Sequence, residues 1–158
     1  MFKSWGIKPL ENEVAVLWQQ RLEDQLMTRQ PDGKAYVALI EQAVAIAAEA
    51  LKRNLHPGKP RSYLPQCELR AAVETMIRDS AEGCVFSTGL LSEVRALLAG
   101  LSEDTPWLTI WPDANLVTED ISRQTSQLTR ILQEAKLAPI LDRQRAELRS
   151  SELGKVNF

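Results

Sequence analysis

Apolar residues recur at three- and four-residue intervals along nearly the whole chain, and this spacing constrains the fold more than any other feature. A period near 3.6 gathers such residues on one side of a helix, whereas a half-buried strand needs strict alternation. Pro9 is tolerated in a first helical turn, and Val14, Leu17, Trp18, Leu22 and Leu26 after it predict a helix over about 10–30. Pro31-Asp32-Gly33 then makes a turn, because proline fixes φ and glycine accepts φ above zero.

A second helix, about 34–54, carries Tyr36, Val37, Ile40, Ala43, Val44, Ala47, Ala48 and Leu51 on a broad stripe. Its alanines permit close approach, so it is expected at the centre of the bundle. Leu69, Val73, Met76 and Ile77 mark a third helix that stops at Gly83. Ser87 or Thr88 caps a fourth, with Leu90, Leu91, Val94, Leu97, Leu98 and Leu101 on one face and Gly100 as its end.

The pattern lapses over Ser102–Asp120, which holds two prolines, two tryptophans, five acids and no base. Thr105-Pro106 suits the opening of a helical turn, while Trp107 to Trp111 also alternates as a short strand does, and Pro112 ends either. An irregular connection over 102–117 is therefore expected. Helical spacing resumes from Thr118 with Ile121, Thr125, Leu128, Leu132 and Ala135. Pro139 is expected to bend or break this helix, and Ile140, Leu141 and Leu148 begin a last amphipathic helix to about Ser151.

These elements amount to an all-α fold: one compact bundle of five or six helices over residues 1–158. The chain is 158 residues long, enough for a single domain that needs no disulfide or metal to stabilise it. Neither the N-terminal MFKSWGIKPLENE, polar by Lys3 and acidic by Glu11, nor any later run meets the pattern of an export signal or a membrane span, so a cytoplasmic location without membrane contact is expected.

Several chemistries find no support in the residue types. With His56 as the lone histidine, a transition-metal site lacks ligands at any signature spacing, and no metal or cofactor is expected. Cys67 and Cys84 match neither a zinc ribbon nor a Cys-x-x-Cys pair. Cys67 near a helix N-terminus, with His56 close in sequence, leaves a small enzyme with a reactive thiol as a remote alternative, since no third orienting residue accompanies them. Gly58-Lys59 lacks the earlier glycine and the hydroxyl residue of a phosphate loop, and nothing in the sequence pairs two carboxylates for acid/base work.

Charge is segregated instead. Lys52, Arg53, Lys59 and Arg61 fall within ten residues in a chain of formal net charge −2. Lys52 and Arg53 suit the C-terminal turn of the second helix, where cations meet unpaired carbonyls. Lys59 and Arg61 have no such local reason. They pair with the acidic 102–120 segment, face solvent, or contact an anion, with Tyr63 as a stacking residue in a nucleic-acid reading. Trp107 and Trp111 are either core or an anchor for a partner.

The function these features favour is non-catalytic: a helical adaptor, regulator or assembly subunit that binds another protein. The alternative is a nucleic-acid-associated subunit using 52–61 and the basic C-terminal helix. Candidate binding residues are Lys52, Arg53, Lys59, Arg61, Tyr63, Trp107 and Trp111.

Overall fold

The computed structural model describes residues 9–54 and 64–156, and within them every regular element is a helix. Six occur in order: α1 (Glu13–Arg29), α2 (Gly33–Asn54), α3 (Leu64–Ala81), α4 (Thr88–Leu101), α5 (Thr105–Leu108) and α6 (Ala114–Val156). The all-α bundle expected from the spacing is what forms.

Local chemistry sets the boundaries. The first helix begins at Glu13 rather than near residue 10, because the buried Asn12 side chain accepts from Ala15 N–H at 2.8 Å and caps it. It ends at Gln30, whose left-handed φ of 45° lets its N–H reach the Leu26 carbonyl. Gly33, φ +45°, and Gly83, φ +102°, occupy backbone conformations in which a side chain is strained. Gly100 does not end α4: the helix runs through it to Leu101, and Ser102 N–H closes the last turn onto the Ala99 and Gly100 carbonyls.

Between α4 and α6 the connection is less irregular than expected. Asp104 accepts from Trp107 N–H at 3.3 Å and caps the single turn of α5, with Pro106 inside that turn, where its missing N–H is not needed. Asp113 Oδ1 accepts from the N–H groups of Asn115 (3.0 Å) and Leu116 (3.2 Å), so α6 starts at Ala114, four residues before the apolar spacing resumes.

Pro139 does not break the last helix, contrary to expectation: α6 continues through it as one element of 43 residues. From Lys136 to Ser150 the helix is exposed, so water replaces the hydrogen bond that proline cannot donate, and the flanking Ala, Leu, Gln, Glu, Lys and Arg residues are strong helix formers.

The centre of the bundle is α3 and not α2. It packs against α1, α2, α4 and α6. Leu69, Ala71, Ala72, Val73 and Met76 of α3 are fully buried, and Ile40, Val44 and Leu51 of α2 join them in one core with Leu91, Leu98, Ile121 and Leu128. Leu17, by contrast, points outward from α1.

Candidate functional site

Trp107 and Trp111, offered by the sequence as either core or anchor, are buried. Their rings meet edge to face with centroids 5.8 Å apart, and the Arg70 guanidinium carbon lies 6.0 and 5.8 Å from the two ring centres. Arg70, 1% exposed, donates to Asp120 at 2.6 Å. Asp120 also accepts from Arg123 Nε at 2.8 Å, and Arg123 reaches Glu74 of α3 at 3.0 Å. Gln124 donates to the Arg70 carbonyl and to Glu74, both at 3.1 Å. Burial pulls the Arg70 pKa down and Asp120 opposes that, while hydrogen bonding to Asp120 raises the pKa of Arg123. The guanidinium stays charged at any physiological pH. These groups clamp α5 and the first turns of α6 onto α3, with Arg70, Gln124 and both tryptophans buried and Arg123 partly exposed at the rim.

The basic residues are dispersed among different roles. Lys52 is exposed and pairs with Glu93 of α4 and, at 3.9 Å, with Glu49; Arg53 pairs with Glu49 at 4.0 Å. The hydrogen bond to Glu93 raises the Lys52 pKa. Neither cation pairs with the acidic 102–120 segment; among the described residues Arg70 and Arg123 meet it, both through Asp120. Lys59, Arg61 and Tyr63, with His56, lie outside the described residues.

Cys67 in the first turn of α3 is 1% exposed, and burial pushes its thiol up to about 11 against the weaker opposing influence of Trp107 and Arg70. At neutral pH it is a protonated, enclosed thiol, the opposite of the exposed low-pKa environment that makes a cysteine nucleophilic. Cys84 is half-buried, and desolvation followed by Asp79 and Glu82 raises its pKa too. Among the described residues no three His, Cys, Asp or Glu side chains converge as a metal site, and no helix is long and apolar enough to cross a membrane.

The surface that stands out is one the sequence did not single out. Val117, Ile121, Leu128 and Leu132 of α6 are buried in the bundle, but beyond Ala135 the helix projects as an arm on which Leu137, Ile140, Leu141 and Leu148 are all about half or more exposed. At the base of this arm a groove of about 510 Å³ opens between α6, the C-terminal end of α3 and the 83–86 turn. Ile77, Phe86, Ile131, Ala135 and Ala138 line it, Val85 is 74% exposed at its lip, and Arg130 and Glu134 are its charged residues. The sequence did place Ile140, Leu141 and Leu148 on an amphipathic helix. The missing signal was that, among the described residues, no element covers them, because a helix bent or broken at Pro139 was the expectation.

No protein-family model, curated protein or solved structure matches this chain.

Proposed function

We propose that this chain is a non-catalytic helical protein that works by binding another protein chain, and that the α6 arm with the groove at its base is the surface it uses. The observation that supports this reading is the row of half-exposed leucines on a projecting helix, continuous with an apolar groove. Large apolar residues at helical spacing gain free energy by leaving water, about 25 cal/mol per Å² of apolar surface, and a helix laid into a groove is a recurring way to achieve that. The paired state of Lys52 and Arg53 and the enclosure of Cys67 lend no support to the nucleic-acid or thiol-enzyme alternatives.

The test is capture from nuclease-treated lysate of the native host, comparing the parent chain with Leu141→Asp. A partner held by the parent and lost from the variant, with the helical circular dichroism spectrum unchanged, is the expected result. Capture that survives Leu141→Asp, or that nuclease abolishes, overturns the reading.

A further inference from the structure

The groove and the arm are two halves of one face of α6. At about 3.6 residues per turn, Gln127, Arg130, Ile131, Glu134 and Ala138 of the groove lie on the same side of the helix as Leu141, Arg145 and Leu148 of the arm. That side is roughly a third of a turn from the stripe of Ile121, Leu128 and Leu132 that packs into the bundle. N-terminal to Pro139 the face is concave and walled by Val85 and Phe86; C-terminal to Pro139 it is convex and bears leucines.

We infer that this face is self-complementary, and that the partner it takes is a second copy of this chain, running antiparallel about a two-fold axis between Pro139 and Ile140. This rests on the proposed function above and names the partner of that same surface. In this register each arm enters the other copy's groove. Leu141 of the second copy covers Ala138 and Leu148 covers Ile131, so that long side chains meet an alanine or the apolar wall. Glu134 faces Arg145 of the second copy at the centre of the contact, twice per dimer.

Charge and area both favour a second copy over an unrelated helix. Glu134 lies among the groove residues and Arg145 lies on the arm, so the opposite charges that the register needs are already supplied by one sequence. A stable interface removes roughly 800 Å² per partner from water, and three half-exposed leucines in a single groove account for only a small part of that. A two-fold axis repeats every contact, adding a second arm and a second groove to the same interface.

Sedimentation equilibrium on the purified full chain tests this. The expected mass is that of two 17.7 kDa chains. Leu141→Asp, Glu134→Arg and Arg145→Glu should each weaken the dimer by about tenfold or more, the equivalent of 1.4 kcal/mol. The combined exchange Glu134→Arg with Arg145→Glu should restore it. Both charged positions are exposed, so their variants fold even if Leu141→Asp does not. A monomeric parent at about 100 μM, a dimer indifferent to Leu141→Asp, or a charge exchange that fails to rescue overturns the proposal. If the parent is monomeric but Leu141→Asp still loses a host protein, self-pairing alone fails; if the parent neither dimerises nor captures a partner, the binding role fails with it.

Discussion

Replacing Asp120 by alanine should destabilise the fold far more than replacing the arginine it holds. Arg70 is 1% exposed and its Nη2 lies 2.6 Å from Asp120 Oδ2, an attraction of roughly 6 kcal/mol at an effective dielectric of about 20. Most of that offsets the cost of taking the guanidinium out of water. Removing one partner of a buried pair leaves the other desolvated, and the net loss is typically about 3–5 kcal/mol. Arg70→Met has a different outcome. It forfeits the contact with two indole faces, worth about 0.5–2 kcal/mol, but fills similar volume and leaves Asp120 still bonded to Arg123 at 2.8 Å. A loss of about 1–2 kcal/mol is expected there. Urea denaturation followed by circular dichroism measures both, and in a domain of this size the Asp120→Ala loss corresponds to a melting temperature lower by about 6–20 °C. An Asp120→Ala loss under about 1 kcal/mol, or one no larger than that of Arg70→Met, refutes the claim that the loss of this carboxylate from beside a buried guanidinium dominates.

Two further outcomes follow from the titratable groups. Tyr36 donates to Asp79 Oδ2 at 2.9 Å, and burial first, then Asp79, pushes its pKa from the ordinary 10.0 up to about 12. The folded state therefore holds the phenolic proton more tightly than the unfolded one; this stabilisation is complete below pH 10 and is lost as pH rises toward 12. Melting curves of Tyr36→Phe should fall less steeply across that window than those of the parent, and equal slopes would contradict the assignment. For Cys67, burial and a pKa of about 11 mean that Cys84→Ser protein should react with a thiol reagent at pH 8 at least a hundredfold more slowly than a free thiol, and that urea should remove the difference. Prompt reaction in the native state would show that Cys67 is not enclosed.

Helix identity was legible in the sequence because it is a local property. Period, caps and turn residues act over four or five positions, so Pro31-Asp32-Gly33, Gly83 and Ser87 mark boundaries without any knowledge of the fold, whereas Pro9 drew the first start away from the Asn12 cap. Asp104 and Asp113 were equally local signals, hidden by the prolines and tryptophans around them, which argued for irregular chain.

Only the tertiary structure decided which helix lies at the centre and which surface stays open. The buried side of α3 includes Gln66 and Arg70, polar residues that a hydrophobic pattern assigns to solvent, so the longer and more apolar α2 looked central. Burying Arg70 becomes feasible only when Asp120, fifty residues away, and two tryptophans from the α5 segment arrive together. The arm shows the converse. Leu137, Leu141 and Leu148 carry the same period as Ile121, Leu128 and Leu132, and period records that a helix has an apolar side without recording what covers it. Coverage depends on whether the helix ends at Pro139, and there a solvated backbone and strong helix formers keep the chain helical, carrying the leucines beyond the buried part of α6.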